Sequence, residues 1–120
     1  MTTPRAMRLL RRVIIESPYA AADLAERQRN DAYALRALHH SLCQGEAPLA
    51  SHLLYTWVLD DDHPAERRLG ISAGHAWVEV ADAVVVYTDL GISSGMLQGI
   101  NAAMKNKIPV EYRMLGGDHG

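Results

Sequence analysis

The side chains of this chain that are best suited to chemistry fall in two short segments, Glu16-Ser17-Pro18-Tyr19 and Asp89-Leu90-Gly91-Ile92-Ser93-Ser94-Gly95-Met96. Each follows an apolar run rich in β-branched residues, Val13-Ile14-Ile15 in one case and Ala83 to Thr88 in the other. In a parallel α/β sheet, ligands bind beyond the carboxyl ends of the strands. Ser93, Ser94 and the backbone N–H groups around Gly95 sit where a helix should open. A helix start there offers free donors and a positive dipole end to a phosphate or carboxylate, and a serine there also serves as a simple helix cap. Asp89 suits the hydroxyls of a ribose, or the role of general base or nucleophile; it also suits an ordinary turn ahead of glycine. Glu16 places a carboxylate directly after three apolar residues, where charge is seldom put for packing; the plainer alternative is a salt bridge. Tyr19 could stack on a base or cover the edge of the sheet. Ser17, Pro18 and Gly91 belong to the same two loops, and His52 and Tyr55 follow the second strand at the same end.

Four strands and three long helices must position these groups. A strand over Val13–Ile15 is stopped by Pro18. A helix follows from about Ala22 to Gln44, with Leu24, Asp31, Leu35, Leu38 and Leu42 on one stripe and Gly45 as the residue that closes it. Residues 48–54 read as a second strand running into an irregular segment. Asp60-Asp61-Asp62-His63-Pro64 marks a helix start, and that helix runs to about Ala81 with Leu69, Ala73, Ala76, Trp77 and Val80 inward. The third strand covers residues 83–88. A third helix covers residues 93–106 with Met96, Ile100, Ala103 and Met104 inward. The fourth strand is 108–112, where Pro109 suggests a sheet edge. The order βαβαβαβ predicts a three-layer, Rossmann-like (flavodoxin-like) α/β domain over residues 1–115, with a parallel sheet in the order 2-1-3-4 and a disordered tail over 116–120. Its switch point between strands 1 and 3 brings Glu16–Tyr19 next to Asp89–Gly95.

Composition narrows the function classes. With 120 residues, 48% hydrophobic and 22% charged, the chain has enough material for one core. A net charge of −2 argues against a general nucleic-acid binder. The cluster Arg5, Arg8, Arg11 and Arg12 reads as a solvated, fraying start. A single cysteine, Cys43, fits a reducing cytoplasm, and no apolar run approaches the ~20 residues that span a bilayer. Neither metal nor cofactor is expected. The aspartates at 60–62 suit the positive end of a helix dipole. His39 and Cys43, one turn apart, lack a second ligand pair for zinc and read as a surface histidine and a small buried cysteine. His75 reads as a partly buried packing residue, and Trp57 and Trp77 as core or subunit interface.

The order of strand, Ser17-Pro18-Tyr19, helix, Ala81-Asp82-Ala83-Val84-Val85-Val86-Tyr87-Thr88-Asp89 and a glycine-rich helix start resembles the nucleoside 2-deoxyribosyltransferase-like superfamily, over roughly residues 12–113. The chain is especially similar to small phage and bacterial members of that fold. Ala81-Asp82 and Asp89 match the family's acids before and after the third strand. Gly95 and Gly99 align with its Gly-x-Glu-x-Gly helix opening, but Leu97 stands where the glutamate belongs. An aliphatic side chain can neither attack an anomeric carbon nor stabilise an oxocarbenium ion.

The resemblance implies a protein that acts on a nucleoside or nucleoside 5′-monophosphate at the N-glycosidic bond. Asp89 and Glu16 would be the catalytic carboxylates, with Ser17, Pro18, Tyr19, Tyr55, Gly91, Ser93, Ser94, Gly95 and Met96 around the ligand. Leu97 keeps a second reading open, a protein that binds and senses or sequesters a nucleotide, such as an ADP-ribose-type signal, without turnover. A third is an assembly module with vestigial loops. The expected partners are a small-molecule nucleoside or nucleotide and further copies of the chain, since a four-stranded sheet leaves open edges.

Overall fold

The structure, a computed structural model, describes residues 10–116. Arg5, Arg8 and the last four residues of the expected tail lie outside the described residues. Strands β1 (Arg11–Glu16), β2 (Glu46–Leu49), β3 (Ala83–Tyr87) and β4 (Val110–Arg113) form one all-parallel sheet in the order β2-β1-β3-β4. The helices are α1 (Leu24–Cys43), the single turn α2 (Ser51–Leu54) with a 3₁₀ turn over Tyr55–Trp57, α3 (Pro64–Val78) and α4 (Ser94–Lys105). The architecture is a three-layer α/β domain compatible with a Rossmann-like fold, in the predicted strand order.

The pleat assigns the core. Val13, Ile15, Ala83, Val85 and Tyr87 face one way and pack with Tyr33 and Ala37 of α1. Ile14, Val84 and Val86 face the other way and pack with Val78 of α3 and Met96, Ile100 and Ala103 of α4. The central strand β3 is buried along its whole length, as its continuous apolar sequence requires. No helix among the described residues is long and apolar enough to cross a membrane.

Helix α1 turns a different face inward from the predicted one. Its buried residues are Asn30, Tyr33, Ala34, Ala37 and Ser41, while Leu24 is 71% exposed and Leu35 and Leu42 are also exposed. Small residues let the helix approach the sheet closely, and Asn30 is satisfied by the carbonyls of Tyr19 and Ala20. Asp23 caps α1 by accepting from the Glu26 N–H at 2.8 Å, and Gly45, at φ +79°, closes it as expected. In α3 the expected stripe is likewise displaced: Leu69, Trp77 and Val80 are exposed, and Gly74 and Val78 are buried. Met104 of α4 is exposed too, whereas Met96, Ile100 and Ala103 are inward. Trp57, 88% exposed, and Trp77 are both outside the core, and Cys43 is exposed rather than buried.

Strand β2 begins earlier than predicted and ends at Leu49. Its first residue, Glu46, pairs in register with Arg11. After Leu49 the Ala50 carbonyl accepts from the Leu53 and Leu54 N–H groups at 3.0 and 3.2 Å, turning the chain into α2. Pro48 is tolerated because β2 is an edge strand, as is β4 behind Pro109.

Arg11 and Arg12 are not a solvated arm. Arg11 donates to Glu46 at 2.6 Å and to Glu111 at 2.6 Å. The Arg12 N–H donates to Asp82 at 2.7 Å. Glu46 also accepts from both terminal nitrogens of Arg113 at 3.0 Å and from the Ser41 hydroxyl at 2.7 Å. Arg113, then desolvation, Arg11 and Ser41 set its acidity, and the donors win: the carboxyl is held down at about 2. A carboxyl depressed on folding stabilises above its ordinary range near 4.5 and loses that contribution as pH falls through about 2. Glu46→Gln should cost on the order of 2–3 kcal/mol at pH 7, below the usual figure for breaking a fully buried pair because Arg11 is partly exposed. Urea unfolding of both proteins across pH 7 to 3 should show the gap closing as the wild type loses stability in acid.

Candidate functional site

Adjacent parallel strands deliver their following loops to the same end of a sheet. Glu16, the last residue of β1, lies beside Val86 of β3, and the loops after them open into one cavity of about 150 Å³. Glu16, Ser17 and Tyr19 line it from β1, and Ser93, Ser94, Gly95, Met96 and Gln98 from the start of α4. His52 and Tyr55 come from α2 and the 3₁₀ turn, and Arg67, Gly70, Gly74 and His75 from α3. The two predicted segments therefore converge.

The alternation of the strand sends Glu16 to the α4 side, and α4 makes room for it at Gly99. A Cβ at position 99 would lie 2.9 Å from Glu16 Oε1 and closer still to Oε2 and Cδ. Among the described residues no side chain or backbone group hydrogen-bonds or ion-pairs with the Glu16 carboxyl. Burial alone pushes it up to about 8, so it carries a proton at neutral pH.

Ser17 turns towards α2. Its Oγ lies 2.7 Å from His52 Nε2, and Ser17 itself is buried. Burial lowers His52 to about 4, so its ring is neutral at pH 7. Tyr19 stands edge-on to His52, ring centroids 6.4 Å apart, with the Arg27 guanidinium 4.4 Å over its ring. Tyr55 accepts from the Trp77 indole N–H at 2.8 Å.

Two glycines let α3 form the far wall. A Cβ on Gly74 would sit 2.6 Å from Ser51 Oγ, and one on Gly70 would sit 3.2 Å from Leu59 Cδ1. Arg67, one turn before Ile71, donates to Asp61 at 2.6 Å. Of the predicted acidic run, Asp61 lines the cavity and Asp60 accepts from the Asp62 N–H at 2.9 Å. Among the described residues no three His, Cys, Asp or Glu side chains are grouped to hold a metal ion.

At the opening of α4, Ser93 is the N-cap, its hydroxyl accepting from the Met96 N–H at 3.2 Å. The Ser94 and Gly95 N–H groups find no acceptor among the described residues, as expected for the first turn of a helix. The Ser93 hydroxyl thus serves the helix, and the next two N–H groups stay free.

Three predicted residues are not brought to the cavity. Asp89 is turned away and works as a fastener. It accepts from the Tyr33 hydroxyl at 2.5 Å and from the N–H groups of Leu115 at 2.9 Å and Gly116 at 3.4 Å. Burial raises its carboxyl, but these hydrogen bonds outweigh that and hold it below the ordinary aspartate range. Gly91, at φ +88°, shapes the loop, and Pro18 is buried beside Ser17 without lining the cavity. Leu97 is 49% exposed and also lies outside the lining. Position 97 therefore points away from the cavity, whereas Met96 and Gln98 face it. Arg67, Gly70 and Gly74 were missed in the sequence because the cavity-facing side of α3 carries glycines and charged residues beside Ile71, not a continuous stripe of large apolar residues, and Gln98 was missed as a polar residue inside α4. The pair Gly70 and Gly74, four apart in a helix, is the signal that could have marked that face.

Residues 11–113, from the first residue of β1 to the last of β4, match the profile of a domain of unknown function, DUF7768. The chain belongs to the DUF7768 family. The family's span thus includes every residue that lines the cavity. No curated protein matches the chain.

The packing of Glu16 on Gly99 can be tested by a double-mutant cycle. Gly99→Ala should destabilise by about 1–3 kcal/mol, the usual cost of overpacking, and most of that cost should vanish in a Glu16→Ala background. Equal costs in both backgrounds, measured by denaturant unfolding, would show that the two residues do not share the space. Glu16 also gives stability a pH dependence. A carboxyl raised on folding stabilises fully below about 4.5 and loses that contribution as pH rises through about 8. Thermal unfolding from pH 5 to 9 should therefore show a decline in the wild type that Glu16→Gln flattens.

Proposed function

We propose that this cavity binds a nucleoside 5′-monophosphate or a nucleoside and breaks its N-glycosidic bond, by hydrolysis or by transfer of the sugar. The observation that carries this reading is the buried carboxyl of Glu16, neutral at pH 7, in the same cavity as the free N–H groups that open α4. Scission of an N-glycosidic bond needs a proton for the departing base, because an unprotonated base is a poor leaving group. A carboxyl titrating near 8 holds that proton at neutral pH and suits the role of general acid. The phosphate belongs at the Ser94 and Gly95 N–H groups, where the helix dipole favours an anion. Tyr19, fixed between Arg27 and His52, offers its ring to the base. Asp89 has no part in this scheme, since its oxygens serve Tyr33 and the chain leaving β4. The resemblance to the deoxyribosyltransferase-like superfamily points to the same bond, but by a different division of roles: Glu16 supplies a proton from β1 and does not replace the nucleophilic glutamate in whose place Leu97 stands.

Purified protein incubated with a panel of nucleosides and their 5′-monophosphates should release free base, read by chromatography. Glu16→Gln should slow that release by about 10²- to 10⁴-fold, the usual weight of a general acid. The wild-type rate should fall as pH rises past about 8, where Glu16 loses its proton. A monophosphate that raises the melting temperature but is recovered intact would convert the reading to binding without turnover. Absence of both stabilisation and base release would overturn it.

A further inference from the structure

The cavity holds a second chemically matched pair that the acid does not use. Ser17 Oγ lies 2.7 Å from His52 Nε2, within the reach expected of a hydroxyl and its base. Both side chains line the cavity. Their walls are opposed in origin. Glu16 is seated on α4 through Gly99, whereas Ser17, the next residue, is turned to α2 through His52. Successive side chains of an extended segment point to opposite sides, so a ligand entering between these walls meets an acid on one and a hydroxyl–imidazole pair on the other. Hydrolysis with one group protonating the departing base and another activating water on the opposite face of the sugar needs that division. Ser17 and His52 have no other hydrogen-bonding duty through Oγ and Nε2 among the described residues, so nothing in the packing requires a polar pair at this point.

We infer that Ser17 and His52 are the water-activating pair of this cavity, acting on a nucleoside or nucleoside 5′-monophosphate at its anomeric carbon. The inference rests on the glycosidic reading and assigns the half of the reaction that Glu16 cannot perform. In the tautomer protonated on Nδ1, the Ser17 hydroxyl donates to His52 Nε2. The bond between the anomeric carbon and the base nitrogen breaks with its electron pair going to the nitrogen, which takes the proton of Glu16. The water oxygen bonds to the anomeric carbon. Its proton passes to Ser17 Oγ while the Ser17 proton passes to His52 Nε2. The imidazolium then returns a proton to the Glu16 carboxylate through solvent, and the products are the free base and the sugar or sugar phosphate. His52 is neutral at neutral pH, because burial lowers it, and so is free to accept.

Azide separates this role from a structural one, since it is an anionic nucleophile that needs no base. Ser17→Ala and His52→Gln should each lower kcat for base release by about 10²- to 10⁴-fold with little change in KM. Added sodium azide should restore release in both variants and yield the glycosyl azide. It should not restore Glu16→Gln, whose defect is in the leaving group. Circular dichroism checks the fold, and Ser17→Ala, which removes one oxygen, decides the matter if His52→Gln is unfolded. Near wild-type kcat in Ser17→Ala, or a loss that azide does not repair, overturns the inference while leaving the glycosidic reading intact. A wild-type protein that releases no base from any member of the panel overturns both.

Discussion

The Glu16 carboxyl fills the volume that any side chain at position 99 would claim, and this contact joins the sheet to the cavity. Parallel pairing of β1 with β3 fixes where Glu16 emerges. The pleat fixes which face it takes, and Gly99 lets α4 lie against that face without displacing it. The start of α4, with its capped serine and free N–H groups, is held over the same opening by Met96, Ile100 and Ala103 in the core. The position of the anion-favouring helix end and the burial of the acid are therefore set by one packing arrangement.

Two glutamates in this chain show how environment alone divides a residue type between duties. Glu46 is buried among Arg11, Arg113 and Ser41, which hold it ionised and fasten the edge strand β2 to β4 across the sheet. The Glu16 carboxyl, on a half-buried residue, is desolvated against α4 with no such donors and keeps its proton at neutral pH. Donor-rich burial makes a strut; donor-free burial stores a proton and is costly to the fold once that proton leaves. A fold rarely retains the second arrangement for packing, which is why Glu16 draws the chemical reading and Glu46 the structural one.

Much of this was legible in the sequence because it depends on local rules. The run Ala83–Tyr87, too apolar to face water on either side, had to be a central strand, and Ser93 ahead of Gly95 had to start a helix. The alternation of strands and helices then required parallel pairing, and parallel pairing required the loops after Ile15 and Thr88 to meet. Properties that depend on partners were not legible. Leucines are a poor guide to the inner face of α1, because the sheet there accepts alanine, serine and asparagine at close range. β2 begins at a charged residue because arginines from two other strands neutralise it, which no local pattern announces. Asp89 follows a strand just as a ligand-binding acid would, and its engagement shows only in partners remote in sequence, Tyr33 and the N–H groups of Leu115 and Gly116.

The two tryptophans stand in contrasting places. Trp57 is almost wholly in solvent, whereas the Trp77 indole is bound to Tyr55, a residue of the cavity wall. A molecule that shifts Tyr55 on entering would alter the surroundings of one fluorophore and leave the other as a constant background. Trp77 would then report such an entry, and replacing the exposed Trp57 with a non-emitting residue would isolate that signal.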